Sequence, residues 1–169
     1  MDQTPIALDA TDRRILVVLQ KNGRITFDEL AREVQLSSSA ALRRVRRLEE
    51  SGVIAGYAAI VPPEQLGLGL IAYIHVRLEK QPAHHKRNPM DLFRTAVQNW
   101  PEVTECVTLS SEMAHLLRVA VTDMQHYTRF MFETLLKHPS VQDCQTDFVL
   151  DRVKGCAVVP LSPDISPTA

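Results

Sequence analysis

The chain has no excess of charge of either sign. Its 169 residues carry 19 Lys+Arg against 20 Asp+Glu, a formal net charge of -1 with His neutral. That balance excludes a polybasic protein that coats nucleic acid by bulk charge. With 45% hydrophobic residues, the composition also excludes an acidic disordered tail. Site-specific DNA binding is untouched by either exclusion, because a docking face depends on where the charges lie.

Long apolar runs are missing as well. Stretches such as Ile15–Leu19 and Leu68–Ala72 fall far short of the ~20 residues that cross a bilayer, and the N-terminus MDQTPIALDATDRR has no apolar core of a secretory leader. The expectation is a soluble cytoplasmic protein with no membrane partner. Cysteine is scarce and unpaired in pattern: Cys106, Cys144 and Cys156 form no CxxC, so a zinc ribbon or thioredoxin motif is excluded. All three read as buried small hydrophobes in a reducing cytosol. No Gly-rich phosphate loop, Ser-His-Asp set or paired catalytic carboxylates can be identified. The six histidines show no ligand spacing on a common element, and most read as exposed loop residues. No enzyme activity, no cofactor and no metal are expected.

What is present divides in two. Through residue 62 the apolar spacing is helical. Asp9 is placed to cap a helix reaching about Gln20, with Leu8, Ile15, Leu16 and Leu19 on its inner side. Thr26 and Glu29 form a capping box for a short second helix. Ser37 caps a third, from Ser38 to Glu50, which Gly52 ends. The β-branched stretch Val53–Val61 reads as a short strand or hairpin, and Pro62-Pro63 then breaks regular structure. Three helices with a small β element outline a winged helix-turn-helix.

The second half alternates. Strands are expected at Leu68–Leu78, Val103–Leu109, Ala114–Val121 and Val141–Val153. Helices are expected at Met90–Gln98 and Gln125–His138, with a polar loop over Gln81–Pro89. The order β-α-β-β-α-β is the ferredoxin-like arrangement. The fold class is therefore α+β: a helix-turn-helix domain at 1–62, a sandwich domain at 63–155, and a C-terminal tail at 156–169, of which Leu161–Ala169 reads as mobile.

The third helix carries the chemistry. In SSSAALRRVRRLEE, Ala41, Val45 and Leu48 fall on one side, while Arg43 and Arg47 lie nearly opposite and Arg44 and Arg46 flank them. Four of the nine basic residues in 1–62 thus cluster within five positions, against eight acidic residues in the same span. Small residues in the first turn, Ser38 and Ser39, allow close approach to a major groove. Guanidiniums further along can reach phosphates or guanine edges. Ser38, Ser39, Arg43, Arg44 and Arg47 are the expected DNA contacts. The near-neutral total predicts weak non-specific affinity and binding that depends on site fit.

The segments LDATDRRILVVLQKNGRIT, ELAREVQLSSSAALRRVRRLEESGVIAGYAAIV, PEQLGLGLIAYIHVRLE, LLRVAVTDMQHYTRF and VQDCQTDFVLDRVK resemble the leucine-responsive/asparagine-regulator (Lrp/AsnC) family of transcription regulators over about residues 7–155. The resemblance implies a linker strand, a small-molecule-sensing sandwich, amino acids as effectors, and dimers that assemble to tetramers or octamers. It implies effector contacts at Ser110, Ser111, Glu112, His115, Asp123 and Thr146. Two departures stand out. Gln35 replaces the glycine common in the turn before the third helix. Ser111-Glu112-Met113-Ala114 replaces a Gly-x-x-Asp pattern, and Ala114 cannot hold an ammonium group as that Asp can. A related group uses the same domain pair to decarboxylate sirohaem. Its helix-turn-helix half tends to lack the arginine-rich helix retained here.

Overall fold

A computed structural model of the chain describes residues 7–79, 88–111, 114–155 and 161. It divides into two compact units. One comprises Met1–Ala59 with Lys154–Ala169, and the other Ile60–Val153.

The first unit holds α1 (Ala10–Lys21), α2 (Phe27–Val34) and α3 (Ser38–Glu50). Each begins at a side-chain cap that the sequence provides locally. Asp9 accepts the Asp12 N–H at 2.7 Å and its own N–H goes to Asp12 Oδ2 at 3.1 Å, a closed capping box. Thr26 and Glu29 close a second box at α2. Ser37 accepts the Ala40 N–H at α3. Ile15, Leu16, Leu30, Val34, Val45 and Leu48 meet in one core, with Leu8, Ile54 and Leu161 packed against it.

Between α2 and α3 the chain must turn sharply. Gln35 does this at φ 57°, ψ 49°, the left-handed region that glycine favours. The Leu36 N–H then bonds back to the Ala31 carbonyl at 2.8 Å, which satisfies the helix end and buries part of Leu36. The β-branched run after α3 does not form a strand: residues 53–62 carry no ladder, and Tyr57, Ile60 and Val61 are exposed. Strand propensity needs a paired edge to express itself, and among the described residues no strand lies beside this segment.

The second unit is a four-stranded antiparallel sheet of β1 (Leu70–Leu78), β2 (Val103–Thr108), β3 (His115–Val121) and β4 (Val141–Phe148), in the order β2-β3-β1-β4. The helices are α4 (Pro89–Val97) and α5 (Met124–Arg129). The ferredoxin-like expectation is met. β1 pairs with β3 through Ile74↔Leu117 and with β4 through Ile74↔Thr146. Ile74, Val76, Leu117, Val119 and Val121 pack against Phe93 and Val97 of α4 and against Phe130, Met131 and Leu135. Trp100 stands edge-on to both Phe93 and Phe130, with centroids 5.7 and 5.9 Å away. The opposite sheet face carries Arg77 paired with Asp143 at 2.6 Å.

Three further expectations are corrected. The last helix is α-helical only to Arg129 and continues as a π-helical turn over Phe130–Leu135. An i→i+5 turn brings residues five apart onto one side, which lets Phe130 and Leu135 both reach the core. The last strand ends at Phe148 rather than Val153, beyond which Leu150 and Val153 are almost wholly exposed. Cys106 is exposed, because β2 is an edge strand, and Cys144 is half-buried. Cys156, residues 81–87 of the expected polar loop, and all of the C-terminal tail except Leu161 lie outside the described residues.

Candidate DNA and effector sites

α3 buries Ala41, Val45 and Leu48 and leaves Ser38, Ser39, Arg43, Arg46 and Arg47 exposed. Its four arginines do not share one fate. Arg44 donates from one Nη to Asp9 at 2.7 Å and to Asp12 at 2.8 Å. Arg47 pairs with the other oxygen of Asp12. Asp12 is wholly buried, and its carboxylate accepts these two guanidiniums and the Asp9 N–H, so it is fully partnered. The Asp9 carboxyl is held down at about 2, chiefly by the Asp12 N–H and then by Arg44. Arg44 rises in turn through its bonds to Asp9 and Asp12. Arg43 and Arg46 make no such bonds among the described residues. With Ser39, Leu42, Arg47 and Glu50 they line a shallow concavity along α3.

The other predicted DNA contacts have local roles too. The Ser38 hydroxyl donates to Asp28 of α2, and the Ser39 hydroxyl lies 3.3 Å from that of Ser37. Both serines stay exposed at the N-terminal turn. Arg46 is not among the expected contacts, although helical spacing places it close to Arg43 and it lines the same concavity.

The expected effector residues separate. Ser110 and Ser111 lie exposed in the loop after β2, and Glu112 lies outside the described residues. His115 opens β3 but points into the core, 1% exposed, with Nδ1 3.3 Å from Thr108 Oγ1 and its ring 5.3 Å from Phe93. Its Nε2 is buried without a partner among the described residues. Burial pushes the imidazole below its usual range, with a smaller push from the Arg94 charge. Asp123 lies past the other end of β3, where it caps α5 by accepting the His126 N–H at 2.8 Å. That bond, with one from the Thr122 hydroxyl, lowers its carboxyl. Six strand steps separate the ends of β3, roughly 20 Å. Thr146 lies on β4 and accepts the Tyr127 hydroxyl at 2.7 Å. Within one chain, the loop serines, Asp123 and Thr146 therefore do not converge. Among the described residues no group of three His, Cys, Asp or Glu could hold a metal ion, and no helix is long and apolar enough to cross a membrane.

A helix-turn-helix with an arginine-bearing, outward third helix, in one chain with a βαββαβ sheet unit, defines a two-module regulator architecture. The halves match two family models: winged helix-turn-helix DNA-binding over residues 8–55 and the Lrp/AsnC ligand binding domain over residues 71–159. The chain is 40% identical to the leucine-responsive regulatory protein of Escherichia coli K12 over 147 residues, 87% of each chain. A transcriptional regulator from Neisseria meningitidis, solved as an L-Met complex, superposes with TM-score 0.86 at 42% identity, covering 92% of this chain and 97% of that one. An AsnC family regulator from Agrobacterium tumefaciens superposes with TM-score 0.82 at 28% identity, covering 91% and 97%. The chain belongs to the Lrp/AsnC family of DNA-binding transcriptional regulators with a ligand-binding domain.

Proposed function

We propose that α3 enters the major groove of duplex DNA as the recognition helix, with Ser38, Ser39, Arg43, Arg44 and Arg47 as the contact set to be tested, and that a hydrophobic amino acid is the effector. The observation that carries the DNA reading is the exposed first turn of α3 followed by guanidiniums on its outward face. The effector class is supported by the L-Met complex of the Neisseria regulator. The loop at Ser110–Ser111, followed by the position of Glu112, is the segment to probe first, joined by Asp123 and Thr146 from other copies of the chain. Ala114 stands where the family places an Asp, so the ligand ammonium is held by another group.

Homodimers form by pairing the helix-free sheet faces, and dimers associate further to tetramers or octamers. Exposed Ile60, Val61 and Leu66 fit burial in such an assembly. Two recognition helices in one dimer then meet successive major grooves about 34 Å apart, so the sites are imperfect palindromes. The protein works in the cytoplasm, by binding rather than by catalysis.

The test is a mobility shift on the DNA upstream of its own gene, with and without L-Met or L-Leu. Wild type shifts it, the double variant Arg43→Ala/Arg47→Ala does not, and the effector changes the pattern. A double variant with unchanged affinity and salt dependence sinks the recognition-helix reading. A thermal-shift panel of amino acids identifies the effector by a raised Tm. For the alternative, incubation with sirohaem and mass analysis decides, since loss of carboxyl groups would establish the enzyme.

A further inference from the structure

The four arginines of α3 divide by what holds them, and the division has consequences for how DNA is read. We infer that Ser39, Leu42, Arg43 and Arg46 form the base-reading strip of α3, while Arg44 and Arg47 are held back by α1, with Asp12 as the positioning residue. This rests on the DNA-binding reading of the same helix and narrows its contact set, taking Arg44 out and leaving Arg47 at the margin.

Geometry comes first. Ser39, Arg43 and Arg46 follow one another at i, i+4 and i+7, two turns along one face, ~10 Å in length. That is the length of contact a helix end makes in a groove. Leu42 is half-buried at the margin of the strip and presents an apolar edge of the kind that packs on a thymine methyl. Arg43 and Arg46 are exposed and unpaired among the described residues, so each fork is free for guanine O6 and N7. Glu50 closes the strip with the opposite charge.

Arg44 does not line this concavity. Both of its bonds run to the N-terminus of α1, and its side chain is only 28% exposed. Arg47 is half exposed and reaches the edge of the concavity, but one of its two terminal nitrogens is committed to Asp12. Asp12 sits at the one buried point that both guanidiniums can reach, and three donors saturate it. Neutralising it would free two flexible cations beside the strip, where they would seek phosphates of any sequence.

The experiment measures binding across salt with two duplexes of equal length: one selected by the wild-type protein from a randomised library, one scrambled. Arg43→Ala and Arg46→Ala each weaken the selected duplex tenfold or more and narrow its advantage over the scrambled one. Arg44→Ala leaves the salt slope and the discrimination as in wild type. Asp12→Asn steepens the slope by about one per guanidinium released and reduces discrimination. A merely structural Asp12 would weaken both duplexes without steepening the slope, so that result overturns its positioning role. Arg47→Ala covers the case of an unfolded Asp12→Asn. A guanidinium committed to Asp12 releases no counterion when it is removed, so the slope stays as in wild type. Loss of a full unit of slope in Arg47→Ala overturns the clamp. Arg46→Ala that binds like wild type, with Arg44→Ala losing a unit of slope, overturns the sorting. A wild type that selects no duplex overturns the DNA reading itself, a different failure from either.

Discussion

The two units solve the same problem of placing polar groups by opposite means. In the helical unit the decisive polar group is a buried carboxylate, Asp12, saturated by charged donors. In the sandwich a buried titratable side chain is His115, kept neutral by burial and lodged against the Phe93 ring, with one nitrogen unpartnered among the described residues. The first device fixes a charged surface in register and works through ions. The second leaves a titratable group that costs stability as soon as it charges. A surface that meets phosphates is served by the first. The second couples the fold to pH.

The contrast can be tested, beginning with the largest effect. Phe93→Ala removes a wholly buried ring that touches Trp100, His115 and His138. It should destabilise the sandwich by about 4 kcal/mol. Amide exchange should accelerate across β1 and β3 while α1 to α3 keep their protection. Equal loss of protection in both units would show that they do not unfold separately.

Asp12→Ala should come next, at about 3 kcal/mol, because two guanidiniums lose a desolvated partner. Urea denaturation followed by helical circular dichroism measures it. A cost under about 1 kcal/mol would place Asp12 with ordinary surface pairs.

Acid should then separate the units. Burial holds His115 and His138 below the usual imidazole range. The unfolded chain therefore takes up protons that the folded sandwich refuses. Their contribution is full above about pH 6.5 and is lost progressively as the pH falls through and below that value. Asp9 behaves in the opposite sense to an unpaired acid: held at about 2, its contribution is present above its usual 3.8 and fades only toward pH 2. Its side chain is half exposed, so the amount is small. Between pH 6 and 4, exchange protection should fall in the sandwich and persist in α1 and α3. Parallel loss would contradict the assignment.

Gln35→Gly should stabilise the helical unit slightly, by up to about 1 kcal/mol. Glycine relieves the left-handed backbone but adds freedom to the unfolded chain. A rise of a few degrees in Tm is the expected reading. Smallest of all, Arg77→Ala removes an exposed pair with Asp143 on the helix-free sheet face and should cost about 0.5 kcal/mol or less in the monomer. A larger loss at higher protein concentration would show that this face is covered by a second copy.

Much of the helical unit was legible because its signals are local. Asp9, Thr26-Glu29 and Ser37 cap within three residues of themselves, so each helix start is written in a tetrad of sequence. The Ser38–Glu50 limits follow from the same cap and from Gly52. The pairing of Arg44 with Asp9 and Asp12 was not legible, because it joins residues 35 and 32 positions apart that meet only once the helices cross. That is why the helical spacing puts Arg44 and Arg47 with Arg43 among the expected DNA contacts, although α1 holds both of them. Val53–Val61 misled for the complementary reason: its composition suits a strand, but no ladder was there to receive it. The sheet order and the inward turn of His115 likewise depend on which strand becomes an edge, which no single segment specifies. Where Ser111 and Asp123 lie relative to one another is a property of the whole sheet, and it splits the expected effector set.

Trp100 is the only tryptophan in the chain, and it stands edge-on between Phe93, Phe130 and His138 in the sandwich core. Ultraviolet emission excited at its absorption edge therefore comes from one half of the molecule alone. The helical unit is dark at that wavelength, and so is duplex DNA. A protonated His138 beside the indole quenches it, and a shift of α4 repacks its surroundings. The native chain thus carries an intrinsic optical probe of the sensing half, readable while the other half is engaged with DNA and without any label.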